Sequence, residues 1–480
     1  MKKRAGRILS HQIRAIVAWG LLFLAQSLPA QSPTVEGDWL GTLKVQSMSL
    51  RIVFHISLAG DGSLRATMDS PDQGANGLPV DNVTVEGQAI RLTSSAVRGE
   101  YAGTLQPGDS TIQGHWTQAG MSIPLPLSRI YKEVIIHRPQ DPKPPFPYIS
   151  EEVTFRNGAD DVTLAGTLCI PDGKGPFPAV ALVSGSGPQD RDETVFNHKP
   201  FRVIADHLAR NGIATLRYDD RGVGKSTGNF SRATTEEFAR DAEAATSFLR
   251  MRKHIDPSRV GLLGHSEGGL VAPMVAARSK DVSFIVMLAG PSITGERIIL
   301  LQDSLIAVAN GVEGDDISEG LRVNRSIFRI LASDEDTAMI RAEIARILRG
   351  ASAELPDSAA SAESMQAGID RQMEQLMSPW FRYFLTYDPY PILANVTCPV
   401  LALNGGNDLQ VPPRINLEGI ADALKEAGNS KSTVKELPGL NHLFQTSRTG
   451  SPAEYATIEE TFSPTALSVI TRWIRKVTTE

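Results

Sequence analysis

The sequence predicts an α/β fold with a mostly parallel sheet covered by helices on both faces, preceded by a small all-β part. Three observations predict it. From about residue 149 onward, continuous apolar runs typical of buried parallel strands alternate with stretches of helical periodicity. Between residues 35 and 130, short runs with a period of two are separated by turn dipeptides, as in an antiparallel sandwich or barrel. The chain has 480 residues, which is enough for more than one domain.

The first thirty residues have the composition of an export signal. Basic residues are followed by an apolar run over residues 15–25 and by a small residue, Ala30. That run is too short for a membrane-spanning helix, which needs about 20 residues. We expect a signal peptide over residues 1–30, a mature chain starting near Gln31, and a secreted or periplasmic protein without a stable membrane anchor. An uncleaved anchor is the alternative.

The all-β part is predicted over residues 31–132 as a sandwich or a small barrel. A local echo between residues 37–43 and 99–105 predicts two equivalent strands within one module. We interpret the aromatic residues of this part as core and its histidines as strand residues with hydrogen-bond partners. A ligand groove and a metal site are the alternatives. These residues are Trp39, Tyr101, Trp116, His55 and His115.

A proline-rich segment over residues 133–148 separates the two parts of the chain. Five prolines fall between residues 137 and 147, which excludes a helix or a central strand. We expect an extended linker and a domain boundary there. Residues 149–480 then form the second domain.

Strands and helices alternate along this second domain. The predicted strands are 162–170, 179–183, 214–218, 260–263, 284–289, 400–404 and 432–437, and the predicted helices are 201–210, 235–251, 270–277 and 414–427. The alternation stops between about 291 and 387, where helical periodicity returns over 298–309, 318–331 and 338–348. Helices inserted above the ligand edge of such a sheet are typical of a lid.

A sharp turn is predicted where strand 260–263 meets the next helix. Gly264, Ser266 and Gly268 place a serine at the apex between two glycines, which is the pattern of a nucleophile elbow. The strained backbone at the serine leaves no room for side chains two residues before and two residues after it. A serine that only caps the helix is the alternative.

An acid and a base follow this serine in chain order. Asp408 comes just after strand 400–404, and His442 follows strand 432–437. Because the carboxyl ends of parallel strands lie at one edge of a sheet, we expect these side chains to meet near Ser266. Nucleophile, acid and histidine in this order predict a catalytic triad.

Two backbone N–H groups are expected to bind an oxyanion. Glu267 follows the serine at a helix N-terminus, and the glycine-rich turn 184–187 follows strand 179–183. We assign the second donor to Ser186, with Gly187 next. Each donor is worth about 3–4 kcal/mol in the transition state. An ordinary glycine turn is the alternative.

Several other segments bear on the chemistry. His265, Trp380 and Tyr383 are expected to line the substrate pocket, with packing of the lid on the core as the alternative for the two aromatic residues. Segment 217–226 lacks the first glycine of a phosphate-binding loop and carries aspartates, so we interpret it as structural. The net charge of −6 does not indicate a nucleic-acid partner. We expect no metal and no cofactor, since a serine triad requires neither.

The chain has two cysteines, Cys169 and Cys398. Each lies at the edge of an apolar run. We expect both to be free and buried, and one disulfide is the alternative in an exported protein.

Six segments together carry a family likeness: residues 185–193, 217–222, 264–268, 378–382, Asp408 and 439–442. On these residues the chain from about residue 149 resembles α/β-hydrolases of the bacterial carboxylesterase and serine aminopeptidase-like group. The resemblance implies the α/β-hydrolase fold with a helical lid and a serine hydrolase activity. Many relatives have a histidine where Ser184 stands, which implies a different geometry of the oxyanion loop. The all-β part lies outside the resemblance.

These patterns predict a serine hydrolase that cleaves short-acyl carboxylic esters through an acyl-enzyme. A serine aminopeptidase-like peptidase is the second hypothesis, and the lack of an obvious charged anchor for a free amino terminus favours esters over it. A third hypothesis is an envelope- or carbohydrate-binding protein with a vestigial hydrolase domain. The intact triad pattern argues against this. The expected partner is a small ester or a short peptide.

Overall fold

The computed structural model describes residues 35–45, 48–73, 75–108, 110–118, 121–131, 137–353 and 362–479. The predicted signal peptide, residues 1–30, and the start of the predicted linker, residues 133–136, lie outside the described residues. Val35–Glu480 belong to one compact unit. No helix in the described ranges combines the length and the apolar character needed to cross a bilayer.

The first sheet is antiparallel and curls on itself. Its strands are β1 (Gly37–Val45), β2 (Met48–Leu58), β3 (Leu64–Ser70), β4 (Ala75–Val80), β5 (Asn82–Glu86), β6 (Ala89–Ser94), β7 (Gly99–Leu105), β8 (Thr111–Gln118), β9 (Met121–Pro124) and β10 (Leu127–Ile130). The order is β4-β3-β2-β1-β10-β8-β7-β6-β5, and β9 pairs with β8. The Ser94 hydroxyl of β6 donates to the carbonyl of Pro79 in β4 (2.7 Å), which brings the two ends of this order together.

The inner face of this sheet is an apolar core. Trp39 in β1 and Tyr101 in β7 occupy equivalent positions of the sequence echo, and both are fully buried. Phe54 packs between Tyr101 and Trp116, with ring centroids 5.6 and 6.1 Å away. The interpretation of these aromatic residues as core is confirmed.

The second sheet is mostly parallel. Its strands are β11 (Tyr148–Asn157), β12 (Val162–Pro171), β13 (Phe177–Val183), β14 (Ala214–Tyr218), β15 (Ile255–His265), β16 (Phe284–Leu288), β17 (Val400–Gly405) and β18 (Ser432–Leu437). The order is β11-β12-β14-β13-β15-β16-β17-β18. The first two strands are antiparallel to their neighbours, and every pairing from β14 onward is parallel. β15 therefore lies near the centre, with a parallel neighbour on each side.

Helices cover both faces of this sheet. They are α1 (Pro200–Arg210), α2 (Thr235–Arg250), α3 (Gly268–Arg278), α9 (Tyr390–Leu393), α10 (Pro413–Glu426) and α11 (Pro464–Thr479). One apolar core packs α2, α3 and α10 against the sheet, and a second packs α1 and α11 against its other face. The predicted α/β architecture with a preceding all-β part is confirmed.

Five helices fill the interval between β16 and β17 in the described residues. They are α4 (Gly295–Ala309), α5 (Gly314–Leu331), α6 (Thr337–Ala353), α7 (Ala362–Leu376) and α8 (Pro379–Thr386). Helices α5 to α8 share a small core of their own. A second apolar cluster ties α4 and α8 to the sheet domain through Ile298, Phe384, Leu270 and Val411.

The proline-rich segment after the first sheet is held against the second part of the chain. Arg138 donates to the carbonyls of Ile458 (3.0 Å) and Phe196 (2.8 Å). The side-chain amide of Gln140 donates to the carbonyl of Phe462 (2.7 Å) and accepts from its N–H (3.0 Å). Residues 137–147 contain neither helix nor strand, but they are not extended throughout, because the N–H of Asp141 donates to the carbonyl of Arg138 (3.1 Å) and closes a turn. The side chains of Arg138 and Gln140 attach this segment to the second part of the chain.

Both cysteines are free. Cys169 is buried in β12, and Cys398 is half-buried just before β17. Burial raises the pKa of the Cys398 thiol to about 12. The expectation of two free thiols is confirmed.

Candidate active site

The elbow forms at the carboxyl end of the central strand β15. The strand ends at His265, and α3 begins at Gly268. Between them Ser266 has a φ of +52°, a left-handed conformation that costs a non-glycine residue about 1–2 kcal/mol. The N–H of Ser266 donates to the carbonyl of Leu288 in the neighbouring strand (2.9 Å). The turn thus lifts a partly exposed serine above the edge of the sheet.

The two glycines around Ser266 are required by close backbone contacts. A Cβ at Gly264 would lie 1.9 Å from the carbonyl oxygen of Gly268. A Cβ at Gly268 would lie 2.1 Å from the carbonyl oxygen of Val183 in β13. Both neighbours are backbone atoms, which cannot move aside as a side chain can. The glycine pattern is therefore explained by packing as well as by strain.

A histidine–carboxylate pair lies beside the elbow. His442 Nδ1 is 2.8 Å from Asp408 Oδ2, and both side chains are buried. The other carboxylate oxygen, Oδ1, accepts the N–H groups of Gln410 (2.8 Å) and Val411 (2.9 Å). An acceptor at Nδ1 fixes the tautomer with the proton on Nδ1, so Nε2 is left as the basic nitrogen. Among the described residues, neither His442 Nε2 nor the Ser266 hydroxyl has a hydrogen-bond partner.

The histidine loop is held to the residue that precedes the serine. His265 Nε2 lies 3.0 Å from the carbonyl oxygen of His442, and the two imidazole centroids are 4.8 Å apart. The sequence places Ser266 and His442 far apart along the chain. The fold brings His442 into contact with the residue that precedes Ser266.

The turn after β13 approaches the same point. A Cβ at Gly185 would lie 3.1 Å from Ser266 Cβ, so this turn passes directly against the serine. Gly187 has a φ of +97°, which only glycine adopts without strain. The N–H groups of Ser186 and Glu267 have no acceptor within the described part of the chain. Two free donors beside the serine are what an oxyanion hole requires.

Buried carboxyl groups hold the turn after β13 in place, a role that no local sequence pattern predicts. Glu193 Oε1 accepts the N–H of Gly185 (2.7 Å). Asp220 accepts the Ser184 hydroxyl (2.8 Å) and the N–H of Gln189 (3.0 Å). Burial raises the pKa of Asp220 well above its usual range. Ser184, which stands where many relatives have a histidine, is thus one of the contacts that fix the turn.

The placement of His265 corrects the expectation that it lines the substrate pocket. Its Nδ1 lies 2.9 Å from Glu193 Oε1, and its Nε2 contacts the carbonyl of His442. The residue is only 6% exposed. With both ring nitrogens directed at protein atoms, the ring belongs to the interior behind the site.

Trp380 joins the inserted helices to the elbow. Its indole N–H donates to Glu267 Oε1 (2.8 Å), and the Thr235 hydroxyl donates to the same oxygen (2.6 Å). Burial raises the pKa of Glu267, although the hydrogen bonds from Thr235, Trp380 and Ser186 offset part of the rise. A carboxyl group with this raised pKa sits on the residue whose N–H is expected to bind an oxyanion.

The aromatic residues of α8 stack in pairs. The Trp380 ring is 5.2 Å from that of Phe384, and the Tyr383 ring is 5.4 Å from that of Tyr387. Trp380 and Tyr387 pack against the apolar cluster that contains Leu270 of α3. Trp380 therefore reaches the elbow, whereas Tyr383 stacks on a residue at the end of its own helix.

The charged segment after β14 is structural, as predicted. Asp219 pairs with Arg191 (2.7 Å), and Arg221 pairs with Asp241 (2.7 Å) and Asp160 (2.8 Å). These ion pairs tie the segment to the turn after β13 and to α2. In the described ranges, no group of three or more His, Cys, Asp or Glu side chains is arranged to hold a metal ion.

Known hydrolases are similar to this chain over part of its length. The family model described as "Serine aminopeptidase, S33" matches residues 199–338, which include the elbow. The esterase EstD of Thermotoga maritima is 30% identical over 293 residues, covering 61% of this chain and 61% of that protein. The chain is thus similar to a serine aminopeptidase family and to an esterase over part of its length.

Other matches are shorter or more distant. The thiohydrolase apmlB of Arthrinium phaeospermum is 30% identical over 143 residues, covering 29% of this chain and 42% of that protein. The crystal structure of the α/β hydrolase GrgF from Penicillium sp. sh18 is 17% identical with a TM-score of 0.42, covering 70% of this chain and all of that one. The chain spans about three fifths of the length of EstD.

Proposed function

We propose that this protein cleaves short-acyl carboxylic esters through a serine acyl-enzyme. One observation carries the proposal. His442 is held between the buried carboxylate of Asp408 and the residue next to Ser266, and its Nε2 is left without a partner among the described residues. This is the arrangement that a general base needs when it serves a neighbouring hydroxyl.

The proposed chemistry follows from these contacts. His442 Nε2 takes the proton of the Ser266 hydroxyl as the serine oxygen attacks the ester carbonyl. Asp408 stabilises the imidazolium, and the N–H groups of Glu267 and Ser186 bind the oxyanion. The imidazolium then returns its proton to the leaving alcohol. Water repeats the sequence on the acyl-enzyme and releases the acid.

Esters are favoured over peptides with a free amino terminus. Glu267 is the carboxyl group next to the nucleophile, but its raised pKa favours the uncharged form and its Oε1 already accepts from Thr235 and Trp380. It is therefore a poor anchor for an ammonium group. The similarity to an esterase supports the same preference. The description of the matched family model favours an aminopeptidase as the second candidate.

Replacement of the nucleophile tests the mechanism. We expect Ser266→Ala to lower kcat for p-nitrophenyl acetate by roughly three or more orders of magnitude and to abolish labelling by a fluorophosphonate probe. Ser231→Ala, at an exposed serine, is the matched control and should keep both activities. Near-normal hydrolysis by Ser266→Ala would refute the proposed nucleophile.

A substrate panel separates the candidates. Short p-nitrophenyl esters are expected to be turned over faster than aminoacyl anilides, and the reverse order would favour the aminopeptidase. A folded protein that neither reacts with the probe nor hydrolyses either class, yet binds glycans, would favour the vestigial-hydrolase alternative. Export remains part of the proposal, and a mature N-terminus near Gln31 on the exported protein would support it.

A further inference from the structure

Behind the proposed triad, two buried side chains connect the oxyanion turn to the triad histidine. Glu193 Oε1 accepts the N–H of Gly185 (2.7 Å) and lies 2.9 Å from His265 Nδ1. His265 Nε2 lies 3.0 Å from the carbonyl oxygen of His442. Glu193 is 4% exposed and His265 is 6% exposed. One carboxylate oxygen of Glu193 and the imidazole of His265 therefore connect the turn at Gly185 to the loop of His442.

The directions of these hydrogen bonds constrain the protons. A backbone carbonyl can only accept, so His265 Nε2 must carry a hydrogen. Glu193 Oε1 already accepts from Gly185 and also faces His265 Nδ1. When Glu193 is ionised, Nδ1 must carry a hydrogen as well, and the ring is an imidazolium. The other arrangement places the proton on Oε1, which leaves a hydroxyl oxygen, a weaker acceptor, for the Gly185 N–H.

The charges around the ring favour the imidazolium. Burial alone would lower the pKa of His265, but the Glu193 carboxylate, the His442 carbonyl and the more distant Asp408 carboxylate together raise it above its ordinary value. The remaining ring neighbours are His442 itself and Phe444, whose centroid is 6.4 Å away. In the described surroundings the charged groups that act on the ring are thus carboxylates.

We propose that His265 is held as a buried imidazolium by Glu193, and that this ion pair positions both the oxyanion turn and the triad histidine. The inference rests on the proposed hydrolase function. Glu193 fixes the turn through Gly185, and His265 fixes the loop of His442 through its carbonyl. Both are positioning residues, because each acts through another residue and neither needs to touch the substrate.

The substitution Glu193→Gln tests the role of the charge with little change in shape. The new amide oxygen can still accept the Gly185 N–H. A neutral His265, however, has only one N–H and cannot donate both to that amide and to the His442 carbonyl. With the amide oxygen in the position of Oε1, at least one of the three hydrogen bonds is therefore lost. We expect kcat to fall roughly 10–100-fold, as for a misplacement of about 1 Å, while KM changes less than about threefold.

A matched control removes a charge elsewhere. Glu151 lies on β11 with its side chain 41% exposed, and Glu151→Gln breaks its ion pair with Arg252. We expect its kcat and KM to equal those of the unsubstituted protein. The double variant Glu193→Gln/His265→Gln should have a kcat within about threefold of that of the slower single variant. Both substitutions break the same connection, so their effects should not add.

The protonation state itself is read by NMR without any assay of activity. With ¹⁵N-labelled histidine, His265 is expected to show two protonated ring nitrogens at pH 7 in the unsubstituted protein and a neutral ring in Glu193→Gln. A neutral His265 in the unsubstituted protein overturns the inference, and so does an unchanged kcat in a folded Glu193→Gln variant. If Glu193→Gln does not fold, the spectrum of the unsubstituted protein still decides.

Failure of this inference is distinguishable from failure of the proposed function. If Ser266→Ala loses hydrolysis and labelling while Glu193→Gln keeps full kcat, only the positioning role is wrong. If Ser266→Ala keeps hydrolysis, the proposed nucleophile is wrong, whatever the state of His265.

Discussion

Among the described residues, two histidines contact aspartates, His55 in the first sheet and His442 in the loop after β18, and they differ in which ring nitrogens have partners. In the first sheet His55 lies between two carboxylates, with Nδ1 2.7 Å from Asp38 and Nε2 3.0 Å from Asp69. In the loop after β18, only Nδ1 of His442 contacts a carboxylate, that of Asp408. The side chain of His55 is 37% exposed, whereas that of His442 is 6% exposed.

The difference shows what separates a structural histidine from a candidate base. Both nitrogens of His55 are occupied, so it has no lone pair to offer a substrate or a nucleophile. His442 has one nitrogen oriented by Asp408 and, among the described residues, one nitrogen without a hydrogen-bond partner. The interpretation of His55 as a strand residue with hydrogen-bond partners is confirmed by its contacts.

The strand directions explain why the candidate site lies at the edge of the second sheet and not of the first. In the first sheet the strands are antiparallel, so successive strand ends point in opposite directions. In the second sheet the carboxyl ends of β13, β15, β17 and β18 all lie at one edge. Ser186, Ser266, Asp408 and His442 follow those four ends in turn. Parallel topology therefore collects residues that are distant in the sequence.

The sharpest test of this contrast is to remove the carboxylate charge from each pair. We expect Asp408→Asn to lower kcat roughly 10⁴-fold, because an amide no longer fixes the tautomer of His442 or stabilises its imidazolium. Asp69→Asn makes the same chemical change beside His55 and should leave kcat within about twofold. Steady-state hydrolysis of p-nitrophenyl esters measures both. Equal losses in the two variants would remove the distinction between the pairs.

A second test compares two glycines that pack closely, one in each sheet. A Cβ at Gly264 would meet the backbone of Gly268, whereas a Cβ at Gly99 would lie 2.1 Å from the Trp116 side chain. We expect Gly264→Ala to abolish most activity, because the elbow must open to relieve the clash. Gly99→Ala should lower the free energy of unfolding by about 1–3 kcal/mol, as overpacking does, with kcat per folded molecule unchanged. Denaturant unfolding and kinetics at matched concentrations of folded protein measure both effects. A Gly264→Ala variant with full kcat, or a Gly99→Ala variant with a lowered kcat per folded molecule, would contradict this prediction.

The smallest expected effect concerns pH and His55. Burial alone would lower the pKa of His55, but the hydrogen bonds with Asp38 and Asp69 raise it above the ordinary value. A raised folded-state pKa contributes stability that is fully present below about pH 6.5 and is lost as the pH rises through the folded value. We expect His55→Gln to lower Tm at pH 5.5 by no more than about 2 °C, since the pair is partly exposed, and by less at pH 9. A Tm difference that grows with pH would contradict this sign.

Local patterns in the sequence predict the elbow because its requirements are local. Gly264, Ser266 and Gly268 are adjacent in the chain, and strain and close packing act within that turn. Asp408 and His442 are predicted by their position after buried strands, a rule that parallel topology imposes. The strand bounds agree within a few residues for the same reason, since continuous apolar runs mark buried strands.

Other features depend on distant pairings that leave no local pattern. The contact of Glu193 with His265 joins residues 72 positions apart, and it requires a left-handed φ of +51° at Glu193 that its residue type does not indicate. The pairing of β1 with β10 joins the first and last strands of the first sheet in chain order, with Asp38 opposite Ile130. Strand β11 and helices α7, α8, α9 and α11 are missing from the predicted elements, although α11 buries an apolar face against the sheet.

The hydrogen bonds of Arg138 and Gln140 bear on how the two sheets separate and unfold. Half-buried hydrogen bonds from these two residues cross to the segments around Phe196, Ile458 and Phe462. A protease cut between Gln140 and β11 would not release the first half, since Arg138 and Gln140 would still donate to carbonyls of the second half. Heat or urea should accordingly melt both sheets in one cooperative transition, and the small sheet gains the thermal resistance of the larger one.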